Sequence, residues 1–260
     1  MTRSLKPSRV VTRAVGLFLL AGVGCSKSNA SSAQASAPSA AIPAVPSTAA
    51  SSVGSGSSSP SLPQMEAYAA PAATRLGVLA PNTGIGVGQT VPDVSALDLD
   101  GKPVSLAQLY KAGPILLAFY RGGWCPYCNT EIHSLTLAYP EYRKRGVTPV
   151  ALSVEKPEEG AKLKATYVIP FPVLSDSDAK VLEALHLVKK VGDEELTRLK
   201  SFGIDLEAAS GKTHHEISIP ALFVIDRTGT VRFAHSDPDF KVRPTSAQIL
   251  AAIDALKLEP

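Results

Sequence analysis

Two cysteines, Cys125 and Cys128, stand two residues apart in the sequence FYRGGWCPYC, which spans residues 119–128. An apolar, strand-like segment comes directly before this motif, and a helix-like segment begins within it. A helix N-terminus offers unpaired N–H groups and partial positive charge, which stabilise the thiolate form of a cysteine. Since the thiolate is the nucleophile in thiol exchange, the spacing indicates a redox-active dithiol. One sulfur would attack an oxidant or a disulfide, and the other would then close a disulfide bridge.

Zinc binding is a competing interpretation of two cysteines at this spacing. A structural zinc site needs four ligands, and the chain has no second cysteine pair. The histidines would have to complete such a site, and they are His133, His186, His214, His215 and His235. Of these, His214 and His215 stand in a polar turn, where exposure to solvent is the default. We therefore expect no metal and no other cofactor. A purely structural disulfide is also disfavoured, because a bridge over so short a span removes little entropy from the unfolded chain.

Residues 1–25 have the pattern of an export signal. Four basic residues precede a short apolar run, which ends at Gly24 and Cys25. The apolar run is too short to span a membrane comfortably. The sequence GVGC resembles a bacterial lipobox, although Gly22 stands where leucine is usual. We expect Cys25 to be lipidated and to anchor an exported, cell-envelope lipoprotein to a membrane; the alternatives are an uncleaved anchor or an ordinary cleaved signal.

Residues 26–73 consist largely of serine, alanine, proline and glycine. Such a segment buries too little apolar surface to offset the entropy cost of ordering it, so we expect a disordered linker. The root-mean-square end-to-end distance of such a coil would be roughly 35–40 Å. Without the four basic residues of the signal, the chain has 22 basic and 23 acidic residues, which gives no basis for nucleic-acid binding. The folded domain is expected at residues 74–260.

Strand-like and helix-like patterns alternate through this domain, which predicts a layered α/β sheet. Asp100 and Gly101 form the turn of a predicted hairpin, and Ser105 is a suitable N-cap for a short helix. The predicted strands lie at residues 115–120, 147–154 and 171–174, with a final hairpin over 221–234. The predicted helices lie at residues 125–145, with a kink at Pro140, and at 158–167, 178–187 and 246–256. A polar insertion at 189–212 carries one further predicted helix, over 194–202.

The order of these elements resembles the thioredoxin superfamily, and more closely its peroxiredoxin branch, the alkyl hydroperoxide reductase/thiol-specific antioxidant family. The resemblance covers nearly all of residues 88–256. It is carried by the segments GQTVPD at 88–93, LDGKPVSL at 99–106, PFPVLSD at 170–176 and FVIDRTG at 223–229. It implies a thioredoxin-like fold, with a mixed central sheet flanked by helices. It also implies a peroxidase that reduces a hydroperoxide with electrons from a thioredoxin-like thiol reductant.

The two branches of the superfamily give the cysteines opposite roles. Alignment with peroxiredoxins places Cys128 at the peroxidatic position, Cys125 where threonine is usual and Arg121 where proline is usual. Cys125 is then the resolving cysteine. In thioredoxins the first cysteine of the motif attacks, which makes Cys125 the nucleophile. The alternative function is therefore a thiol-disulfide oxidoreductase that acts on exported proteins.

Pro220 lies in the sequence SIPA, residues 218–221, which resembles the cis-proline loop that thioredoxins place against their dithiol. A proline that simply begins a strand is the alternative. Peroxiredoxins usually carry an arginine near this point, and this chain does not. Arg121 is the preferred substitute and Arg243 the second, although each could be an ordinary surface arginine.

Two further residues are candidates for shaping the site. Trp124 directly precedes the first cysteine and could cover the dithiol or serve only in packing. Glu131 stands near the start of the predicted helix, where it could take part in proton transfer or interact only with the helix dipole. The sequence leaves both questions open.

Overall fold

The computed structural model describes residues 66–258 of the chain. The expected signal at 1–25, the lipidation site Cys25 and most of the linker at 26–73 lie outside the described residues.

Within the described part, a seven-stranded sheet has the order β2-β1-β5-β4-β3-β8-β9, and β6 pairs with β7 in a separate sheet. The strands are β1 Ser95–Leu97, β2 Pro103–Ser105, β3 Ile115–Phe119, β4 Thr148–Ser153, β5 Val173–Ser175, β6 Val188–Lys190, β7 Glu216–Ser218, β8 Ala221–Ile225 and β9 Val231–Ser236. The helices are α1 Leu106–Ala112, α2 Pro126–Leu137, α3 Tyr139–Lys144, α4 Pro157–Thr166, α5 Lys180–Ala184, α6 Asp193–Ser201, α7 Leu206–Ser210 and α8 Ser246–Leu256.

Strand β3 lies at the centre of the large sheet and leads into the cysteine motif. It pairs parallel with β4, where Leu117 faces Val150, and antiparallel with β8, where Leu117 faces Phe223. All five residues of β3 are buried. Because alternate side chains point to opposite faces, Leu117 packs into one hydrophobic cluster and Leu116 into another. The mixed, two-sided sheet confirms the predicted thioredoxin-like α/β fold.

Helix α2 begins where the sequence predicts, but it is shorter than expected. The single helix expected over 125–145 is divided at Ala138 into α2 and α3, with Pro140 in the first turn of α3. Proline has no N–H to donate and clashes with the preceding turn of a helix, whereas it is well tolerated at a helix start. The chain therefore breaks before Pro140 instead of kinking at it.

Helix α5 is also shorter than the prediction for residues 178–187. Ala179 precedes it with φ of 56° and His186 follows it with φ of 55°, both in the left-handed region. The carboxylate of Asp176 accepts a hydrogen bond of 2.9 Å from Leu182 N–H. The left-handed residues at each end limit the helix to Lys180–Ala184.

The polar insertion forms a small unit with its own apolar cluster. Strands β6 and β7 pair antiparallel at its base, and α6 and α7 lie between them in the chain. Only α6 was expected from the sequence. The buried members of the cluster are Val191, Leu199, Leu206 and Ile217, and Trp124 of the cysteine motif packs against it. The insertion therefore rests on the motif.

Residues 66–73, which the sequence analysis assigns to the linker, make specific contacts with the rest of the domain. Ala69 forms a parallel bridge with Val242. Glu66 N–H donates to the carbonyl of Pro126, at 3.4 Å, and the carbonyl of Glu66 accepts a 2.7 Å hydrogen bond from Thr130. The packed chain thus begins N-terminal to residue 74. No helix within residues 66–258 is long and apolar enough to cross a membrane.

Candidate active site

The dithiol lies at the N-terminus of α2, as its position after β3 requires. Cys125 is the N-cap residue and Pro126 occupies the first helical turn. Both cysteines are free thiols, and their exposed fractions are 1% for Cys125 and 0% for Cys128. The two thiols lie close enough for each to affect the acidity of the other. The site is therefore a closed, reduced sulfur pair.

Two donors converge on the sulfur of Cys128. The backbone N–H of Arg121 lies 3.4 Å from Sγ, and Nη2 of Arg243 lies 3.3 Å from it. Arg243 is buried, its Nε donates to the carbonyl of Phe240 at 2.9 Å, and its Nη1 forms an ion pair with Glu131. A cation with fixed donors stabilises negative charge on the sulfur and on an oxygen bound beside it.

The side chain of Arg121 points elsewhere. Its guanidinium lies 4.9 Å from the ring centre of Trp124 and 4.2 Å from that of Phe240. It also lies 3.7 Å from Oε1 of Glu195, on helix α6. The sequence favoured Arg121 over Arg243 as the substitute cation. The structure brings the guanidinium of Arg243 to the sulfur, whereas Arg121 contributes its backbone N–H.

The two thiols differ in acidity. The interaction with the Cys128 side chain, together with the positive charges of Arg243 and Arg121, lowers the pKa of Cys125 to about 6, against the opposing effect of burial. Burial raises the pKa of Cys128. The directions of the two shifts make Cys125 the more acidic thiol, and the pair as a whole gives up its first proton more readily than an isolated thiol does.

Glu131 follows Cys128 by one helical turn and is buried beside it. Burial raises the pKa of Glu131 to about 7, although the ion pair with Arg243 lowers it. A carboxyl group with a pKa near 7 can both give and take a proton at neutral pH. The structure therefore places a buried carboxyl group, paired with Arg243, one helical turn from Cys128.

Trp124 and Pro220 lie on different sides of the motif. Trp124 packs against the apolar cluster of the insertion. Pro220 directly precedes β8, whose Ala221 faces Phe119 of β3. Together with Arg121 and Phe240, Pro220 lines a cavity of about 330 Å³. The structure therefore places Pro220 beside Arg121 and Phe240, at a cavity separate from the one that Trp124 lines.

Three residues of the site were missed by the sequence analysis. Asn129 and Glu155 are buried polar residues that both hydrogen-bond to Gly123, and Phe240 stacks on Arg121. A carboxyl group directly after the apolar run at 150–154 was a usable signal for Glu155. Nothing local marks Asn129 or Phe240. Among the described residues, no group of three or more histidine, cysteine or acidic side chains could hold a metal ion.

A family model for the AhpC/TSA family matches residues 87–234. This match covers more than half of the chain and includes the cysteine motif. The chain belongs to the AhpC/TSA family.

Individual relatives are similar to this chain over only part of their length. The thiol-disulfide oxidoreductase ResA of Geobacillus thermodenitrificans is 33% identical over 103 residues, which cover 39% of this chain and 58% of that protein. The chloroplastic peroxiredoxin Q of Sedum lineare is 31% identical over 94 residues, covering 36% and 50%. This AhpC/TSA chain thus spans between half and two thirds of these relatives.

Solved structures share the fold. The reduced Prx3 of Vibrio vulnificus, in complex with hydrogen peroxide, has a TM-score of 0.54 at 18% identity, over 65% of this chain and 99% of that one. Peroxidoxin BcpB of Mycobacterium tuberculosis has a TM-score of 0.52 at 21% identity, over 66% and 96%. These likenesses establish a common fold for this AhpC/TSA domain.

Proposed function

We propose that the protein is a thiol-dependent peroxidase that reduces hydroperoxides through Cys128 and Cys125. The observation that carries the proposal is the pair of donors on Cys128 Sγ, one from the Arg121 backbone and one from the Arg243 guanidinium. Thiol-disulfide exchange needs only a thiolate and a partner sulfur. Cleavage of an O–O bond also creates charge on a leaving oxygen, and fixed donors beside the attacking sulfur stabilise it.

The reaction begins with a proton transfer within the pair. The Cys128 thiol passes its proton to the thiolate of the neighbouring Cys125, the more acidic thiol of the pair. The Cys128 sulfur then attacks one peroxide oxygen: an S–O bond forms, the O–O bond breaks and the sulfur is oxidised to a sulfenic acid. The second oxygen leaves with the electron pair and takes a proton from Glu131 or Cys125 to become an alcohol or water.

The second half of the reaction closes the disulfide. The Cys125 sulfur attacks Cys128 Sγ, an S–S bond forms, the S–O bond breaks and the departing hydroxide takes a proton to become water. An external dithiol reductant of the thioredoxin type then restores both thiols by disulfide exchange. One hydroperoxide and two thiols thus yield one alcohol, one water and one disulfide.

The burial of both sulfurs favours small oxidants. Cys125 is 1% exposed and Cys128 is 0% exposed, so the disulfide of a folded protein reaches neither residue without movement of the surrounding side chains. A hydrogen peroxide or alkyl hydroperoxide molecule needs a far smaller opening. This difference supports a small hydroperoxide as the oxidant of the reduced enzyme, whereas reduction of the disulfide by a thioredoxin-type protein requires the motif to open.

The second candidate, a thiol-disulfide oxidoreductase, rests on Cys125. Its position as N-cap and its pKa of about 6 are the properties of an attacking thiolate in that chemistry. The similarity to ResA over part of the chain also favours it. In this alternative Cys125 attacks a substrate disulfide, and Cys128 resolves the mixed disulfide.

We further propose that the enzyme works outside the cytoplasm as a lipoprotein. The basic and apolar residues of 1–25, followed by Cys25, support this location. Acyl chains on Cys25 would anchor the enzyme to a membrane, since each buried methylene contributes about 0.8 kcal/mol. Mass analysis of the mature N-terminus tests this part: an acylated Cys25 is expected, and an unmodified one contradicts it.

Stopped-flow oxidation distinguishes the two functions. The reduced enzyme is mixed with hydrogen peroxide, with tert-butyl hydroperoxide and with an oxidised protein disulfide, and Trp124 fluorescence reports closure of the disulfide. The peroxidase is expected to react with at least one hydroperoxide about 100-fold faster than with the protein disulfide. Faster reaction with the protein disulfide, or a dithiol inert to both peroxides, contradicts the proposal.

A further inference from the structure

Glu155 is a buried acid beside the redox motif that the proposed reaction does not use. It follows strand β4, and its exposed fraction is 4%. Its Oε2 accepts a 2.8 Å hydrogen bond from the backbone N–H of Gly123. It forms no ion pair with any residue of the described chain. Burial of a carboxyl group without a cation costs folding free energy, so its neighbours must offset that cost.

Both polar atoms of the Gly123 peptide unit are held by buried side chains. Glu155 accepts from the N–H, and Nδ2 of Asn129 donates to the carbonyl at 2.9 Å. Asn129 belongs to α2, which carries the dithiol, whereas Glu155 follows β4. Gly123 is thus fixed between the helix and the sheet, two residues before Cys125.

The Gly122–Gly123 loop can adopt few other backbone conformations. Gly122 has φ of 153°, and a side chain at this position would collide with the ring of Trp124. The N–H of Cys125 donates to the carbonyl of Gly122 at 3.0 Å. The position of Cys125 therefore depends on the Gly122–Gly123 loop, and this loop depends on Glu155.

Glu155 also connects the motif to solvent. It lines a cavity of about 430 Å³ together with Gly123 and Trp124, and the insertion forms the opposite wall. Charged groups on this cavity are Lys156, Glu159, Lys162 and Asp205, while Cys128 and Tyr120 lie on the inner side of Glu155. Burial raises the pKa of Glu155 to about 7, and the negative charge of Glu159 acts in the same direction.

We propose that Glu155 is a positioning residue for the dithiol: its carboxyl group fixes the loop before Cys125 through the hydrogen bond from Gly123 N–H. Loss of this hydrogen bond would misplace Cys125. The inference concerns the thiol pair itself, so it applies to either proposed function.

The test is the rate at which the reduced protein closes the Cys125–Cys128 disulfide with an added small-molecule disulfide, together with thermal unfolding, which reports general destabilisation. Glu155→Gln keeps an oxygen acceptor for Gly123 N–H, so it is expected to close the disulfide at the wild-type rate. Glu159→Gln is the matched control, since it changes a side chain of the same cavity without a contact to Gly123. It is also expected to close the disulfide as the wild type does.

Glu155→Asp provides the complementary variant, because it keeps the charge and shortens the side chain by one methylene. It is expected to slow the formation of the Cys125–Cys128 disulfide about tenfold, and Asn129→Ala is expected to do the same, because each variant loses one of the two side-chain hydrogen bonds to Gly123. An equal loss of rate in Glu155→Gln and Glu155→Asp overturns the role of the hydrogen bond. Wild-type disulfide formation in both Glu155→Asp and Asn129→Ala overturns the positioning role. Neither readout requires peroxidase activity.

Discussion

The guanidinium of Arg243 lies 3.3 Å from the sulfur of Cys128, although the two residues are 115 positions apart in the chain. Arg243 enters the site after β9, and its other nitrogens bind the carbonyl of Phe240 and the carboxylate of Glu131. These contacts fix the cation beside one sulfur of the pair. The proposed attack by Cys128 depends on this arrangement.

Replacement of Arg243 by glutamine is expected to impair peroxide reduction most strongly. Without the cation, the first thiol pKa should rise by about one unit, and the second-order rate constant with hydrogen peroxide at neutral pH should fall about 100-fold. Arg121→Gln is the control, since its guanidinium does not contact Cys128 and its backbone N–H is retained. A rate loss in Arg121→Gln equal to that in Arg243→Gln would contradict the assignment.

Arg243→Gln also leaves Glu131 buried without its cation, which typically costs about 3–5 kcal/mol of unfolding free energy. Arg243→Lys keeps a positive charge and serves where the glutamine variant is too unstable. The lysine variant is expected to recover part of the thiolate acidity. Its single ammonium group cannot contact Glu131 and Cys128 simultaneously, as the two guanidinium nitrogens of Arg243 do. Thiolate titration of the lysine variant separates charge from geometry.

Replacement of Glu131 by glutamine is expected to change the pH dependence of the reaction. Burial raises the pKa of Glu131 to about 7, so its protonated form, which can donate to the leaving oxygen, declines as the pH rises above 7. The wild-type rate constant, corrected for the thiolate fraction, should therefore fall above pH 7. In Glu131→Gln this decline should disappear and the maximum rate should be lower by about tenfold or more. An unchanged pH profile would show that Glu131 is not the proton donor.

The raised pKa of Glu155 predicts a stability effect with a definite sign. This carboxyl group takes up its proton in the folded state at about pH 7, from an ordinary value of 4.5. The folded state therefore binds more protons between these values, and stability falls as the pH rises through this window. Compared with Glu155→Gln, the wild type should lose roughly 1–3 kcal/mol between pH 5 and pH 8. Urea unfolding of both proteins at the two pH values measures the difference, and a constant difference would contradict the raised pKa.

The insertion is expected to control access to the sulfurs. Trp124 packs against its apolar cluster, which contains Leu199, and Arg121 lies near Glu195 on the same helix. Leu199→Ala should destabilise the insertion by about 2–5 kcal/mol and loosen its contact with the motif. The rate of alkylation by a bulky maleimide should then rise more than the rate with iodoacetamide. Leu182→Ala, in the apolar cluster on the opposite face of the sheet from the cysteines, is the control for general destabilisation. Equal ratios in both variants would show that the insertion does not limit access.

Local sequence patterns were sufficient for much of the fold. Ser105 forms a capping box at the start of α1, and α8 spans Ser246–Leu256 as predicted. The apolar run of β3 is buried on both faces. In each case the decisive forces act between residues close in sequence or on a continuous apolar segment.

The remaining features depend on tertiary contacts. Strands β6 and β7 have three residues each and only a partly buried pattern, so their pairing across the insertion has no clear periodicity. The choice between Arg121 and Arg243 could not be made from sequence, because closeness along the chain favoured Arg121. The path of the chain after β9 brings Arg243 to Cys128 instead. The buried contacts of Asn129 and Glu155 with Gly123 have the same origin.

The most direct test of the central claim is to expose Cys125→Ser and Cys128→Ser to hydrogen peroxide in the presence of dimedone, which traps sulfenic acids, and to locate the adduct by mass spectrometry. The account predicts rapid formation of an adduct on Cys128 in Cys125→Ser and at least about 100-fold slower reaction in Cys128→Ser. Full reactivity of Cys128→Ser, with the adduct on Cys125, would contradict it.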